Sequence, residues 1–559
     1  MQREWKQRHK YRSIEEAILG LSGQSAEDLL TPPECPASHI AGMTKAVGFI
    51  KRAIEVNKPI VIVGDYDADG MTSTAILLNL FRTFHITPTV FIPHRFTEGY
   101  GINRRIVDEL PMQSLVITVD NGITAADPIA YAKSKGHHVI VLDHHLPGEM
   151  IPEADVLIDP HVKPEANGFV DYCGAGLALK LSGLLYAEEG LKQTCNITRD
   201  AQLEIWREMV VLAGIGTVAD CMDLVGDNRA IVMKALKYLN NRNITLSSGL
   251  KYIVELVTAN QEGPIDHDTI AFKIAPLLNA TSRLHDKGSL SVVKALVCRS
   301  DLEANKYGAK LQEYNEKRKE MTKEWIERIQ EKIEKNPSLI SPPIIIYEEN
   351  LHEGLCGIIA GKLVELYNMP AIVFTKSSFS EEIKGSARSV NGFQIKDMLD
   401  SMPEVFTHYG GHAGAAGLAV LNLYKLVEFK AKAKAYMKDM TFDNSVSYDI
   451  TLDQYDIIPA HQVLRKFSLF GKGVPKPVIR IDAFKPKHGQ NNTYFRFMGS
   501  NNDHFRMSGE GYNIVAFNRG HDYQEMNTPE IISVIGTIES NTYQGRVTPQ
   551  VNVIDFHAD

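Results

Sequence analysis

Apolar, β-branched runs recur through the first third of the chain and alternate with segments of helical periodicity. The runs cover residues 59–64, 89–92, 115–119, 138–142 and 156–158, and helical patterns such as 73–84 and 125–135 lie between them. Strands without a polar face are typical of a parallel sheet that is covered by helices on both sides. The pattern predicts a doubly wound α/β domain over residues 45–250, preceded by an extension over 1–44.

The pattern changes three times further along the chain. A mainly helical connector is predicted over 251–340, and it ends in one long exposed helix over 301–335. After the breakers Asn336-Pro337 and Pro342-Pro343, two apolar runs flank a helix, which predicts a smaller α/β domain over 341–440. Short alternating runs between Gly, Asn and Pro turns then predict a small β-barrel or sandwich over 441–559.

The composition is that of a globular protein, with 44% hydrophobic residues, 23% charged residues and a formal net charge of −8. This charge disfavours a polyanionic partner unless basic residues are concentrated locally. No run approaches the roughly 20 apolar residues of a membrane span. The amino terminus is polar and basic, and six cysteines, Cys195 among them, are scattered singly. We therefore expect a cytoplasmic protein without a membrane partner.

Carboxylates and imidazoles follow three of the predicted strands. Asp65, Asp67 and Asp69 follow the first strand, Asp120 the third, and Asp143-His144-His145 the fourth. Ligands of open α/β sheets bind outside the carboxyl ends of the strands, so we expect these groups to converge. The acidic turn also matches the first half of an EF-hand. Because its twelfth position is Ile76 and a strand precedes it, a calcium loop is disfavoured.

Another acidic cluster, which contains Asp220 and Asp223, follows an apolar helix. Carboxylate and imidazole ligands without cysteine suit Mg²⁺ or Mn²⁺ better than structural zinc. About four or five such ligands are what a two-metal hydrolase of phosphate esters requires. The residues therefore predict a two-metal hydrolase.

The motifs that contain these residues resemble, in chain order, the four motifs of the DHH phosphoesterase superfamily. They are Asp65-Tyr-Asp-Ala-Asp-Gly70, Val119-Asp-Asn-Gly122, Asp143-His-His145 and Gly216-Thr-Val-Ala-Asp220. The glycine-rich segment 410–417 is similar to the signature of the DHH-associated domain. Further motifs, such as Leu278-Asn-Ala-Thr-Ser-Arg283 and Asn315-Glu-Lys-Arg318, are similar to those of the branch that degrades single-stranded DNA from the 5′ end. The resemblance runs from about residue 45 to the carboxyl terminus, and it implies an OB-like barrel as the last domain.

The resemblance implies two bound ions, Mn²⁺ or Mg²⁺, held by Asp67, Asp69, Asp120, His144 and Asp220. Asp120 would bridge the ions, His145 would act at the scissile phosphate, and Asp65 would lie behind the ligands. Many superfamily members have His where this chain has Val63, so one ligand is missing here, and we expect water or a substrate oxygen to replace it. Asp223 and Asp227 are expected to be helix-cap or surface residues.

The resemblance also implies a pocket for a 5′-phosphate. Arginine forks and hydroxyl groups suit such a terminus, and the residues implied are Arg95, Arg283, Ser386 and Arg388. For His412, a contact with phosphate and a packing role within its loop both remain open.

Basic residues are concentrated near the carboxyl end. Residues 461–519 contain 10 Lys and Arg against 3 Asp and Glu, a local charge of +7. Aromatic residues interleave with them, namely Phe467, Phe470, Tyr494, Phe495, Phe497 and Phe505. A positive surface with ring platforms binds single strands with little sequence preference, although about half of the rings should fill the barrel core instead. We expect the strand path to be marked by Lys472, Lys476, Arg496 and Arg506.

With these features, the resemblance implies a single-stranded-DNA-specific 5′→3′ exonuclease that releases 5′-mononucleotides in DNA recombination and repair. We expect a monomer, and the partners implied are single-stranded DNA, a single-strand-binding protein and a helicase. One alternative is a DHH phosphodiesterase for short oligonucleotides or cyclic dinucleotides, which would not need the basic last domain. Another is a non-catalytic replication scaffold that binds single strands, which would have lost the metal carboxylates.

Overall fold

The computed structural model describes residues 3–188, 198–390, 392–489 and 493–558, so Cys195 lies outside the described residues. The first domain is built on a five-stranded parallel sheet. Its strands, in spatial order, are Thr89–Phe91, Ile60–Val63, Leu115–Val119, His138–Leu142 and Val156–Ile158. In chain order the first strand of this sheet, Ile60–Val63, therefore lies between the second and the third, so the chain adds its next strand on one side of it and then crosses to the other side. The carboxyl ends of Ile60–Val63 and Leu115–Val119 border the crevice that this arrangement creates.

Helices cover both faces of this sheet because alternate residues of each strand point to opposite sides. Ile60 and Ile62 pack on one face, whereas Val61 and Val63 pack on the other. The first face contacts the helices Met43–Glu55, Ala68–Thr83, Gly174–Ala187 and Arg199–Ala219, and the second contacts Arg104–Asp108 and Ala126–Ser134. The predicted doubly wound fold is confirmed.

A helical region connects the first domain to the second. It contains Gly226–Leu239, Ser248–Thr258, His267–Thr269, Ala275–Leu284 and Ser289–Val297, together with a π-helical turn, Ile270–Ile274. The predicted long helix is present as Asp301–Lys335. Its Leu311 is buried in the core of the first domain, whereas Ile329 and Ile333 are buried in the core of the second. One continuous helix therefore connects the cores of the two domains.

The second domain has a five-stranded mixed sheet. In spatial order its strands are His408–His412, Ala415–Val420, Ile383–Arg388, Ala371–Lys376 and Ile344–Tyr347. Only the last pair is parallel. The helices of this domain are Cys356–Tyr367, Ile395–Asp400 and Leu423–Tyr436. The predicted smaller α/β domain is thus confirmed.

The last domain carries a seven-stranded sheet. The strands, in spatial order, are Ile450–Thr451, Ile479–Phe484, Ile532–Tyr543, Arg546–Ala558, Asn513–Ala516, His504–Ser508 and Phe495–Met498. In the described part of the chain the two edge strands do not pair with each other, so the sheet is open, as in a partly open OB barrel. Two helices, Ile457–Phe467 and Gly520–Glu525, accompany it.

The amino-terminal segment packs on this last domain. The strand Trp5–Gln7 pairs in parallel with Val446–Tyr448. The helices Ile14–Ser22 and Ala26–Leu30 insert Ile14, Ile18 and Leu29 into the carboxyl-terminal core. Of the helices that the structure describes, none combines the length and the apolar character needed to cross a membrane.

Candidate active site

The turn after the first strand is shaped by its own carboxylates. Asp67 caps the helix Ala68–Thr83, since its Oδ1 accepts hydrogen bonds from the backbone N–H groups of Asp69 (3.0 Å) and Gly70 (3.1 Å). A Cβ at Gly70 would lie 2.6 Å from the Cβ of Asp65, so this position requires glycine. The turn thereby places Asp65, Asp67 and Asp69 within one helical turn at the end of a buried strand.

Asp69 is anchored by a second helix. Its carboxylate accepts hydrogen bonds from the backbone N–H groups of Gly174 (2.6 Å) and Ala175 (2.9 Å), where the helix Gly174–Ala187 begins. The positive end of the helix dipole favours the charged carboxylate at this point. A Cβ at Gly174 would lie 2.6 Å from the Cβ of Asp120, so the helix start also packs directly against the next acidic residue.

Asp120 follows Leu115–Val119 in a left-handed conformation, with φ of 61°. This conformation is uncommon for a residue other than glycine and is characteristic of functional sites. The hydroxyl of Tyr100 donates a hydrogen bond to the Asp120 carbonyl oxygen (2.6 Å), and the Asp120 N–H donates to the Leu142 carbonyl (2.9 Å). These contacts hold the buried Asp120 side chain at the crevice.

His144 stands at the centre of the cluster. Its Nε2 lies 3.0 Å from Asp120 Oδ1, 3.7 Å from Asp69 Oδ2 and 3.7 Å from Asp220 Oδ2. Asp220 ends the helix Arg199–Ala219 as its C-cap residue. The structure therefore brings together four of the predicted ligands, which come from four separate elements.

The side chains form three overlapping groups whose potential ligand atoms lie within 4.8 Å of one another: Asp65, Asp67 and Asp120; Asp69, His144 and Asp220; Asp120, His144 and His145. Asp120 and His144 each belong to two groups, and of the two only Asp120 has the two carboxylate oxygens that a bridge between two ions requires. Asp65, which is predicted to lie behind the ligands, belongs to one of these groups, and its buried Oδ1 has no hydrogen-bond partner in the described residues.

The charges of this cluster fit divalent cations. Burial and neighbouring carboxylates raise the pKa values of Asp65 and Asp120 well above their usual range, and burial together with Asp69 raises the pKa of Asp220 to about 8. Oxygen-rich donor sets with one or two imidazoles suit Mn²⁺ and Mg²⁺. A bound cation would offset the repulsion between these neighbouring carboxylates.

Asp143 was given no role from the sequence, although it belongs to a motif that was recognised. Its buried carboxylate accepts hydrogen bonds from the backbone N–H groups of Ile123 (2.8 Å) and His144 (2.8 Å), and it contacts His145 Nδ1 at 2.8 Å. Burial lowers the pKa of His145, but the bond to Asp143 outweighs it and raises that pKa to about 9. Asp143 thus positions both histidines.

Arginines from three elements converge beside the acidic cluster. Arg95 stacks over the ring of Tyr66, with Cζ 4.9 Å from its centroid. Arg388, at the end of Ile383–Arg388, donates through Nη1 to Ser386 Oγ (3.1 Å) and to the Ala387 carbonyl (2.8 Å). Burial, with Arg95 and Arg388 nearby, lowers the pKa of Arg283 to about 9. Among the described residues none of these guanidinium groups forms an ion pair, so the cluster is suited to an anion.

Arg318 also belongs to this cluster and was not assigned from the sequence, although its motif was noted. It lies on the long helix, and its charge contributes to the lowered pKa of Arg283. Its Nε and Nη2 donate to Asn315 Oδ1 (3.2 and 2.9 Å). His412 is exposed and accepts a hydrogen bond from the Gly414 N–H (3.2 Å). Strand pairing places it two strands from Arg388, about 10 Å away.

The four basic residues predicted to mark the strand path fall into two groups in the structure. Arg496 and Arg506 lie opposite each other on neighbouring strands and are exposed. Lys476 is paired with Glu539, and Lys472 Nζ lies 3.4 Å from Asp223 Oδ1. All six interleaved aromatic residues belong to the core of the last domain or pack against it. Within the described residues of the last domain, the large exposed rings are instead Tyr455, Phe517 and Tyr543.

The expectation that Asp227 is a helix-cap or surface residue is wrong. It lies in the first turn of Gly226–Leu239 and is 1% exposed. It accepts hydrogen bonds from the Tyr172 hydroxyl and pairs with Lys180 at 2.7 Å. The sequence pattern could not show this, because Lys180 lies on the helix Gly174–Ala187 and Tyr172 lies just before that helix.

Comparison with known families agrees with this geometry. Residues 59–209 match the DHH family N-terminal domain, residues 341–439 match the DHHA1 domain, and residues 448–555 match the RecJ OB domain. A doubly wound sheet with this acidic centre, followed by these two domains, defines a phosphoesterase of the DHH type.

The relatives narrow this class. The chain is 30% identical to the single-stranded-DNA-specific exonuclease RecJ of Escherichia coli, over 79% of this chain and 78% of that one. It is 30% identical to RecJ of Bacillus subtilis over 92% of its own length, but it spans only 63% of that relative. The fold matches the crystal structure of Thermus thermophilus RecJ in complex with Mn²⁺, with a TM-score of 0.79, 24% identity, and coverage of 100% of this chain and 80% of that one. The chain belongs to the RecJ family.

Proposed function

We propose that the protein is a metal-dependent exonuclease that degrades single-stranded DNA from its 5′ end and releases 5′-mononucleotides in recombination and repair. The observation that carries this proposal is the position of the unpaired arginine cluster directly beside the acidic centre. A terminal phosphate held by the arginines would leave the next phosphodiester at the carboxylates. The names of the relatives give the same substrate.

The ligands in this proposal are Asp67, Asp69, Asp120, His144 and Asp220, and we add Asp65 because of its unpartnered buried oxygen. Two Mn²⁺ or Mg²⁺ ions, when bound, would activate water and stabilise charge on the phosphate oxygens. Asp143 holds Nδ1 of His145, and Nε2, which lies 3.3 Å from the Tyr100 hydroxyl oxygen, would donate a hydrogen bond to an oxygen of the scissile phosphate when substrate binds. The backbone N–H groups of Gly174 and Ala175 fix the orientation of Asp69.

The arginines would fix the terminal nucleotide. Arg388 is oriented by Ser386 and the Ala387 carbonyl, and Arg318 by Asn315. Such orientation lowers the entropic cost of binding phosphate through two parallel hydrogen bonds. A cyclic dinucleotide has no terminal phosphate for this cluster, which disfavours that alternative.

Several finer statements belong to the same proposal. We propose that the domain boundaries lie at about residues 44, 250, 340 and 440, and that the extension over residues 1–44 belongs structurally with the last domain. We also keep a cytoplasmic monomer that works with a single-strand-binding protein and a helicase. Co-purification and native mass spectrometry test the partners and the monomer.

The central experiment uses the purified protein with Mn²⁺ or Mg²⁺ on end-labelled single-stranded and blunt double-stranded oligonucleotides. We expect mononucleotides from the 5′ end of the single strand only, and no cleavage by Asp120→Ala. Equal attack on blunt duplex, or undiminished cleavage by Asp120→Ala, would contradict the mechanism. Binding without any cleavage by the wild type would favour the scaffold alternative.

A further inference from the structure

A loop of the last domain is clamped to the catalytic domain at the edge of the acidic centre. The loop spans residues 467–474, and the fully buried Arg229 of Gly226–Leu239 holds its base. The Arg229 guanidinium donates to the carbonyl oxygens of Phe467 (3.0 Å) and Leu469 (2.9 Å), and to that of Leu29 in the amino-terminal segment (2.7 Å). One side chain thus ties three parts of the protein together.

The tip of the loop is fixed as well. The Leu224 N–H donates to the Lys472 carbonyl (2.8 Å), and Gly471 and Val474 exchange backbone hydrogen bonds of 3.0 and 3.1 Å. A Cβ at Gly473 would lie 3.0 Å from the Cβ of Asp223, so the absence of a side chain allows the tip to approach. The loop therefore presents Lys472 from a rigid support rather than from a mobile segment.

Lys472 lies at the opposite end of the ligand array from the arginines. The arginines adjoin Asp65 and Asp67, because Arg95 stacks on Tyr66 between these two residues. At the other end the array finishes with Asp220, and Lys472 pairs with Asp223 three residues further along. The Lys472 side chain is 64% exposed, so its ammonium group is accessible to a ligand.

We propose that Lys472 binds the phosphate immediately 3′ of the scissile phosphate, so that the last domain supplies part of the active site and sets the direction of the strand. This inference rests on the proposed function. A strand with its 5′-phosphate at the arginines and its scissile phosphate at the carboxylates would place its next phosphate at the Asp220 end. Asp223 would hold the ammonium group in the free protein and release it to the substrate phosphate.

The test compares two short substrates, a 5′-phosphorylated dinucleotide (pNpN) and the matching trinucleotide (pNpNpN). The dinucleotide has the terminal and scissile phosphates only, whereas the trinucleotide also has the phosphate assigned to Lys472. For Lys472→Ala we expect kcat/KM to fall about fivefold on the trinucleotide, the size of one accessible charged contact, and to fall clearly less on the dinucleotide, which loses only the charge of Lys472 near Asp220. For longer single strands, the slope of log Kd against log salt should decrease by about 0.7.

Three further variants separate binding from folding. Lys472→Arg should restore activity on the trinucleotide. Asp223→Asn frees the ammonium group and should cleave at least as well as the wild type, whereas a purely structural ion pair would make it as weak as Lys472→Ala. Lys466→Ala is the matched control, because Lys466 lies in the last turn of the helix Ile457–Phe467, directly before the loop, but pairs with Glu15 of the amino-terminal helix.

Equal losses on the two substrates, or matching losses in Lys472→Ala and Asp223→Asn, would overturn the role of Lys472 and leave the proposed function standing. Failure of the wild-type protein to cleave either substrate would instead contradict the proposed function. Thermal unfolding of each variant, measured in parallel, shows whether a loss of activity reflects a loss of folded protein.

Discussion

The arginine cluster makes a quantitative prediction for substrates that differ only in their 5′ end. In Arg388→Ala, the guanidinium that Ser386 and the Ala387 carbonyl orient is removed, and the phosphate loses its contact. A hydrogen bond to a charged group contributes about 1.5–3 kcal/mol. We therefore expect kcat/KM on a 5′-phosphorylated strand to fall by roughly 10- to 150-fold.

The assay compares 5′-phosphorylated and 5′-hydroxyl oligonucleotides of one sequence, with Mn²⁺ present. On the 5′-hydroxyl strand the variant should lose less than about threefold, since the missing contact is already absent there. Arg52→Ala is the control, because Arg52 is a 75% exposed surface residue near Glu55. Equal losses on both strands would refute the assignment of this pocket to the terminal phosphate.

Three other predictions concern the acidic centre and the domain contacts. The pKa of Asp220 is raised to about 8 in the folded protein, so the metal-free protein binds more protons folded than unfolded, and its Tm should fall as the pH rises from 6 to 8. Bound Mn²⁺ should make the Tm rise over the same pH range. A Tm that does not change with pH in the metal-free protein would argue against a repulsive cluster. Asp143→Asn should lower kcat by about 10- to 100-fold with little change in folding, as the two histidines lose their common anchor, and steady-state kinetics would contradict this if kcat were unchanged. Arg229→Met removes the donor to the carbonyl oxygens of Leu29 and Leu469, whereas the Phe467 carbonyl keeps the Leu469 N–H at 2.7 Å. The variant should therefore destabilise the protein by about 2 kcal/mol or more in urea unfolding, whereas Arg242→Met on the surface should not.

Features specified by neighbouring residues were predictable from the sequence. The strands Leu115–Val119, His138–Leu142 and Val156–Ile158 have the predicted bounds, because each is a continuous apolar run between polar turns. The helix Asp301–Lys335 was also predicted, as its charged face has no breaker in the second half. The predicted metal ligands could be expected to lie together because the carboxyl ends of parallel strands share one edge of the sheet.

Features that depend on distant partners were not predictable. The hairpin of His408–His412 and Ala415–Val420 is rich in glycine, so no strand pattern marks it. The hydrogen bonds of Gly174 and Ala175 to Asp69 span more than 100 residues. The interleaved aromatics look like a binding platform in the sequence, but only their packing around Tyr523 and Phe556 shows that they stabilise the core.

The long helix sets a fixed spacing within the molecule. Its anchors in the first and second cores, Leu311 and Ile329, are about 27 Å apart along the axis at 1.5 Å per residue. A seven-residue insertion between them would add about 10 Å and return the buried face nearly to its original orientation. The length of this helix therefore sets the distance between the cores of the two domains, and an insertion placed after Arg318 would change that distance while leaving every residue of the acidic centre and of the arginine cluster in the sequence unchanged.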